Sequence, residues 1–241
     1  MNKYASDIYF DQDGAPAIKA DSDSARTFLT RVFTIMAFGL GITGLVSWLF
    51  ATKYLTAGVD MEGNFILTQA GMSYFSGILP WVVTFAPLGF ILVFNFGIRR
   101  MSYLVATLVF IAFCSVMGLS LSSIFLIYSL GTLGSVFLIT TSVFAAMALI
   151  GATTKLDLTK LGTILYVALF GSIVAMSAYW FIGSSGLDYI ISILGVVIFS
   201  GLTAYSTQQL LRLGAAIGTE GETVGKMAIM GALSLYLNFI T

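Results

Sequence analysis

The chain contains no histidine, and that absence removes the Ser-His-Asp triad, the Cys-His dyad, the HExxH zinc site and His-ligated haem. Its one cysteine, Cys114, excludes an intrachain disulfide or a CxxC redox pair. Inside an apolar stretch, that thiol reads as a small packing residue. Charge is scarce as well, at 9% of residues, where soluble domains carry about 25%. The 11 basic and 11 acidic residues cancel, so no basic face points to nucleic acid. No GxSxG, P-loop, GxGxxG or EF-hand loop occurs, and nothing in the sequence calls for a cofactor.

What fills the chain is apolar: 58% of its 241 residues are hydrophobic, with a mean hydropathy of +0.98. The natural unit is therefore a span of about 20 residues crossing a hydrocarbon core of about 30 Å. Seven such stretches are predicted, at 32–52, 78–98, 103–127, 130–150, 162–182, 188–207 and 227–241. Continuous apolar runs, without ten-residue alternation, argue for helices over a barrel. The expected architecture is an all-α polytopic membrane protein. A polar tail over residues 1–31 precedes a transmembrane domain over 32–241.

The tail is acidic, with Asp7, Asp11, Asp13, Asp21 and Asp23, and lacks the basic and short apolar regions of a cleaved signal peptide. It reads as a mobile cytoplasmic segment with an interfacial stretch around residues 25–31. The third stretch is long for one crossing, so a bend is expected at Ser120–Ser123. The seventh is short for a full crossing.

Basic residues give the orientation, because cytoplasmic loops retain them. Lys3, Lys19, Arg26, Arg31, Arg99, Arg100, Lys155, Lys160, Arg212 and Lys226 fall in the tail and the even-numbered loops, and only Lys53 falls in an odd one. The ten-to-one division predicts a cytoplasmic N terminus.

Pro80 and Pro87 share the second stretch and predict a kink, read as packing more readily than as a gate. Small residues four apart, as in Gly39/Thr43/Ser47, Ala168/Ser172 and Ser200/Ala204, predict close helix approach. The seven stretches hold almost no charge, and Asp188 sits at an edge. That speaks against a relay of paired carboxylates and against an intramembrane enzyme. Asn95, Ser206, Gln208 and Asn238 are the notable polar groups. Asn238, deep in an apolar run, requires a hydrogen-bonding partner.

Four ordered stretches carry a family resemblance: Phe137-Leu138-Ile139-Thr140-Thr141, Gly151-Ala152-Thr153-Thr154-Lys155-Leu156-Asp157-Leu158, Ile198-Phe199-Ser200-Gly201-Leu202-Thr203-Ala204-Tyr205 and Gly231-Ala232-Leu233-Ser234-Leu235-Tyr236-Leu237. Together they resemble the Bax inhibitor-1 family, in its bacterial branch, over roughly residues 26–241. The resemblance implies a seven-helix fold with the last helix surrounded by the other six, located in the bacterial inner membrane. It also implies a pH-sensitive calcium leak, in which aspartates on the sixth and seventh helices share a proton as a latch. An arginine at the cytoplasmic end of the second helix pairs with that site. Two close carboxylates cannot both ionise cheaply, so such a pair titrates near neutral pH.

At the latch positions this sequence departs from the family. Tyr205-Ser206 stands where the family has tyrosine–aspartate, and Leu237-Asn238 where it has leucine–aspartate. The arginine is kept, as Arg100 or its neighbour Arg99. The sequence stops at Thr241, where the family continues with a further apolar stretch. Serine and asparagine do not titrate between pH 5 and 8 and offer calcium only neutral oxygens. The expectation is a calcium or cation leak without its acid latch. The alternative is a non-conducting protein that modulates a partner, such as a membrane-bound protease, in a stress response.

Overall fold

The computed structural model describes residues 8–10, 16–18, 22–59, 65–98, 100–182, 185–218 and 221–240. Among these, seven helices are long and apolar enough to cross a membrane, and the chain is an all-α polytopic membrane bundle. Arg99, Asp7, Asp11, Asp13, Asp21 and Thr241 lie outside the described residues, as does the side chain of Asp188.

Helix α1 runs over Ser22–Phe50 and continues through a π-helical turn at Ala51–Leu55. It begins ten residues before the apolar stretch, inside the segment read as polar tail. The reason is periodicity. Ala25, Phe28, Leu29 and Val32 recur on one helical face and are all buried, while Arg26, Thr27, Thr30 and Arg31 between them dilute any local hydropathy average. Upstream, β1 (Ile8–Phe10) pairs antiparallel with β2 (Pro16–Ile18).

A second antiparallel pair, β3 (Thr56–Val59) with β4 (Phe65–Leu67), and helix α2 (Gln69–Ser76) fill the first interspan connection. Thr68 caps α2: its hydroxyl accepts from Gly71 N at 2.9 Å, and its own N–H reaches Leu55 O at 3.0 Å.

The second span is α3 (Leu79–Gly97). Pro80 occupies its first turn, where a missing N–H costs nothing, so only Pro87 perturbs the helix from within. The third stretch does break near its end. Helix α4 covers Tyr103–Leu121, Ser122 and Ser123 form a turn, and α5 covers Ile124–Ile127. The remaining spans are α6 (Leu130–Thr153), α7 (Thr159–Ile182), α8 (Ser185–Ile217) and α9 (Glu222–Ile240). Helix α8 extends ten residues past the apolar stretch that announced it.

Helix α9 is the most buried span, with half of its central window enclosed. It packs against α1, α4, α8 and α6. The main core joins α1, α3, α4, α8 and α9 through Phe28, Val32, Phe94, Phe110, Phe113, Leu210, Ile229, Leu235 and Tyr236. A smaller cluster of Leu165, Ile198 and Leu202 joins α7 to α8.

Two glycines set close backbone approaches between spans. A Cβ at Gly118 would lie 2.7 Å from Thr43 O, and one at Gly151 would collide with the backbone of Ala204. The α1–α4 and α6–α8 seams are thus backbone-to-backbone contacts, as expected where lipid supplies no hydrophobic drive between helices.

Candidate functional site

Helix α9 makes polar ties on two sides from neighbouring turns. On one side Tyr236, fully buried, stands edge-on to Phe110 and Phe113. Its hydroxyl lies 2.7 Å from Thr43 Oγ1. Thr43 Oγ1 is also 3.0 Å from the carbonyls of Gly39 and Cys114. The threonine has one proton, directed at a carbonyl, so Tyr236 is the donor in the shared bond. The bland reading of Cys114 holds: it packs fully buried against this junction.

On the other side, Asn238 Nδ2 donates to Ser206 Oγ of α8 at 3.3 Å. Ser206 is 4% exposed. The two positions at which the family likeness led us to expect a latch therefore face each other and meet through a neutral amide–hydroxyl hydrogen bond. Neighbouring hydroxyls on α8 behave differently. Thr203 and Thr207 donate to the carbonyls of Phe199 and Thr203, each at 2.8 Å, within their own helix.

Two residues beyond Ser206 on α8, Gln208 does what the sequence did not disclose. Its Nε2 donates to Leu156 O at 2.7 Å, and its Oε1 accepts from Leu158 N at 3.0 Å. A buried amide so straps the α6–α7 connection to α8. Arg212, a further turn along, pairs with Asp157 at 3.0 Å and reaches Thr159 Oγ1 at 3.4 Å. Asp157 also accepts from the Thr159 hydroxyl at 2.6 Å and from Thr159 N at 3.1 Å. These bonds, Thr159 first and Arg212 after it, hold its carboxyl down to about 2. Both partners are exposed, so the pair orients the loop more than it stabilises the fold.

The same end of the bundle is tied together at Tyr103. Its N–H donates to Glu222 Oε1 at 3.0 Å, and its hydroxyl accepts from Arg31 Nη2 at 3.5 Å. Lys226 reaches Met101 O at 3.2 Å and Glu222 at 3.7 Å. Arg100 sits nearby, in the turn after α3. Its backbone N–H reaches Gly97 O at 2.9 Å, but its exposed side chain enters no ion pair among the described residues. The structure thus joins Ser206 to Asn238 and leaves Arg100 apart from them.

Chemically, the Ser206–Asn238 contact offers a hydroxyl and an amide and no carboxylate. No group of three or more His, Cys, Asp or Glu side chains converges among the described residues. A divalent cation meeting this point would find neutral oxygens alone.

Comparison with known proteins agrees with this layout. Residues 25–241 match the family described as "Inhibitor of apoptosis-promoting Bax1". An Escherichia coli K12 protein named inner membrane protein YbhL is 35% identical over 216 residues, covering 89% of this chain and 87% of the relative. An uncharacterized protein of Borreliella burgdorferi is 37% identical over 213 residues, covering 88% and 86%. An uncharacterized membrane protein of Streptococcus pyogenes is 32% identical over 213 residues, covering 88% and 87%.

Proposed function

Since the chain belongs to the Bax inhibitor family, we propose that it is an inner-membrane cation leak, with a cytoplasmic N terminus, whose closed state is held by a neutral hydrogen bond. The observation that carries this reading is the Asn238–Ser206 contact at 3.3 Å between α8 and α9, with Ser206 buried and Asn238 half-buried. In a two-aspartate latch, the shared proton leaves as pH rises and the carboxylates then repel. An amide donating to a hydroxyl has no such step between pH 5 and 8. The latch of this chain is accordingly indifferent to pH, and its neutral oxygens hold calcium weakly. The orientation draws support from the ten-to-one division of basic residues. It is also consistent with the ties that gather Arg31, Tyr103, Glu222 and Lys226 at one end.

The test is calcium flux into proteoliposomes at pH 6, 7 and 8. The expected result is a flux that does not change with pH, together with a pH step when Ser206→Asp and Asn238→Asp are introduced as a pair. A sharp pH response in the unaltered chain overturns the reading.

A second reading, a non-conducting regulator of a membrane-bound partner such as a protease, draws on the cross-linked end of the bundle. There Arg212 fixes Asp157, Gln208 fixes the α6–α7 connection, and Tyr103 joins three helices. Flux absent at every pH would favour it. Deleting residues 1–20 separates the two, because a leak persists and a tail-mediated association is lost. The cut stops short of Ser22, where α1 begins.

A further inference from the structure

The N-terminal turns of α1 carry a polar face of which the readings above use only the Arg31–Tyr103 tie. A shallow, open depression is lined by Arg26, Thr27, Thr30, Arg31, Thr34 and Ile35, residues that share one side of the helix at four-residue spacing. Neither guanidinium on this face takes part in the Arg212–Asp157 and Lys226–Glu222 pairs seen among the described residues. Arg31 is steadied instead by Tyr103, through the 3.5 Å hydrogen bond and the ring centroid 5.6 Å from its guanidinium carbon. That leaves most of its five donors open.

Depth matters as much as charge. Ser22–Phe50 spans 29 residues, or about 43 Å at 1.5 Å per residue, against about 30 Å of hydrocarbon. Lys53 marks the far end of the crossing. Counting back about 20 residues from it reaches Phe33, which leaves Arg26–Arg31 at headgroup level. Polarity then falls along the face. Thr30 and Thr34 spend their hydroxyl protons on the carbonyls of Arg26 and Thr30, each at 2.9 Å, and the next residues inward are Ile35 and the exposed Phe38.

Two open guanidiniums above a face that becomes apolar with depth match a phosphate carried on acyl chains. We propose that this face binds the headgroup of an anionic phospholipid, in the leaflet at the N-terminal end of α1. Arg26 and Arg31 grip the phosphate, and Ile35 and Phe38 lie along the chains. Which leaflet this is follows from the orientation proposed above; the binding itself does not depend on the leak.

The test uses the full-length protein in detergent, incubated with equal amounts of phosphatidylglycerol and phosphatidylcholine, with retained lipid read by native mass spectrometry. One interfacial cation contributes about 1 kcal/mol, or about fivefold, so phosphatidylglycerol is expected in at least about fivefold excess. Arg26→Gln with Arg31→Gln abolishes the excess, and Arg26→Lys keeps most of it. Should loss of the Tyr103 contact unfold the double variant, Arg26→Gln alone still lowers retention, because its side chain is exposed. Equal retention of the two lipids, or a preference that survives Arg26→Gln and the double substitution alike, overturns the proposal. So does displacement of the lipid by millimolar inorganic phosphate, which would make the ligand a free anion. A preference that appears only after residues 1–20 are deleted also overturns it, since the acidic tail would then be the occupant.

Discussion

Helices α9 and α6 invert the rule familiar from soluble proteins. The central window of α9 is half buried and has a mean hydropathy of 1.3, the lowest of the seven spans, whereas that of α6 is 6% buried and reaches 2.1. In water the most apolar helix would be innermost. In lipid the surroundings are as apolar as leucine, so greasy side chains gain nothing by turning inward. Small and hydrogen-bonding residues hold the centre instead: Gly225, Gly231, Ala228, Ala232, Tyr236 and Asn238 on α9. Leu138, Ile139 and Leu149 on α6 face outward.

The contrast is sharpened by substitution, with the largest effect expected at the centre. Tyr236→Ala removes a fully buried ring and leaves Thr43 without its donor, so it should cost about 3–5 kcal/mol, measured by reversible unfolding in mixed micelles. Leu138→Ala on α6, exposed in the bundle, should lie within about 0.5 kcal/mol of the parent. Similar losses at the two sites would break the comparison.

Next comes the strap. Gln208→Leu leaves Leu158 N and Leu156 O unsatisfied, a cost of about 1–3 kcal/mol. It should also raise hydrogen exchange over residues 154–158, and unchanged exchange there would deny Gln208 its role. Asn238→Leu, which replaces one interhelical hydrogen bond with apolar contact, should shift stability by under about 1 kcal/mol. A larger loss would mark Asn238 as a main support of the fold.

The smallest effect concerns Asp157. A carboxyl held at about 2 in the folded chain, against an ordinary 3.8, favours the folded state fully above pH 4, and that contribution fades as pH falls toward 2. Stability curves of the parent and of Arg212→Gln should keep a small constant offset above pH 4 and converge as pH falls toward 2. An offset that persists unchanged to pH 2 would contradict this account.

The sequence disclosed much of this architecture because lipid imposes a simple rule on spans, and the break at Ser122–Ser123 was legible from excess length alone. The ends were harder. The start of α1 was hidden because Ala25, Phe28 and Leu29 are spaced by polar residues that face outward. The last turns of α8 were hidden because Gln208 and Arg212 read as loop, although their partners are the backbone of Leu156 and Leu158 and the carboxylate of Asp157. Backbone acceptors leave no trace in a residue pattern. The Ser206–Asn238 pairing could be anticipated through the family likeness, and the Thr43–Tyr236 bond could not, since a threonine and a tyrosine 193 residues apart carry no shared periodicity.

The low hydropathy of α9 bears on how the bundle comes to exist. A helix that carries Glu222, Lys226, Ser234, Tyr236 and Asn238 is held by lipid less firmly than its companions, and the niche it occupies is made by α1, α4 and α8, all synthesised before it. Membrane entry and tertiary assembly thus become a single event for α9. Damage to its niche, at Phe113 or Leu210 for instance, should appear first as failure of that helix to insert, well before any defect is visible in the other six.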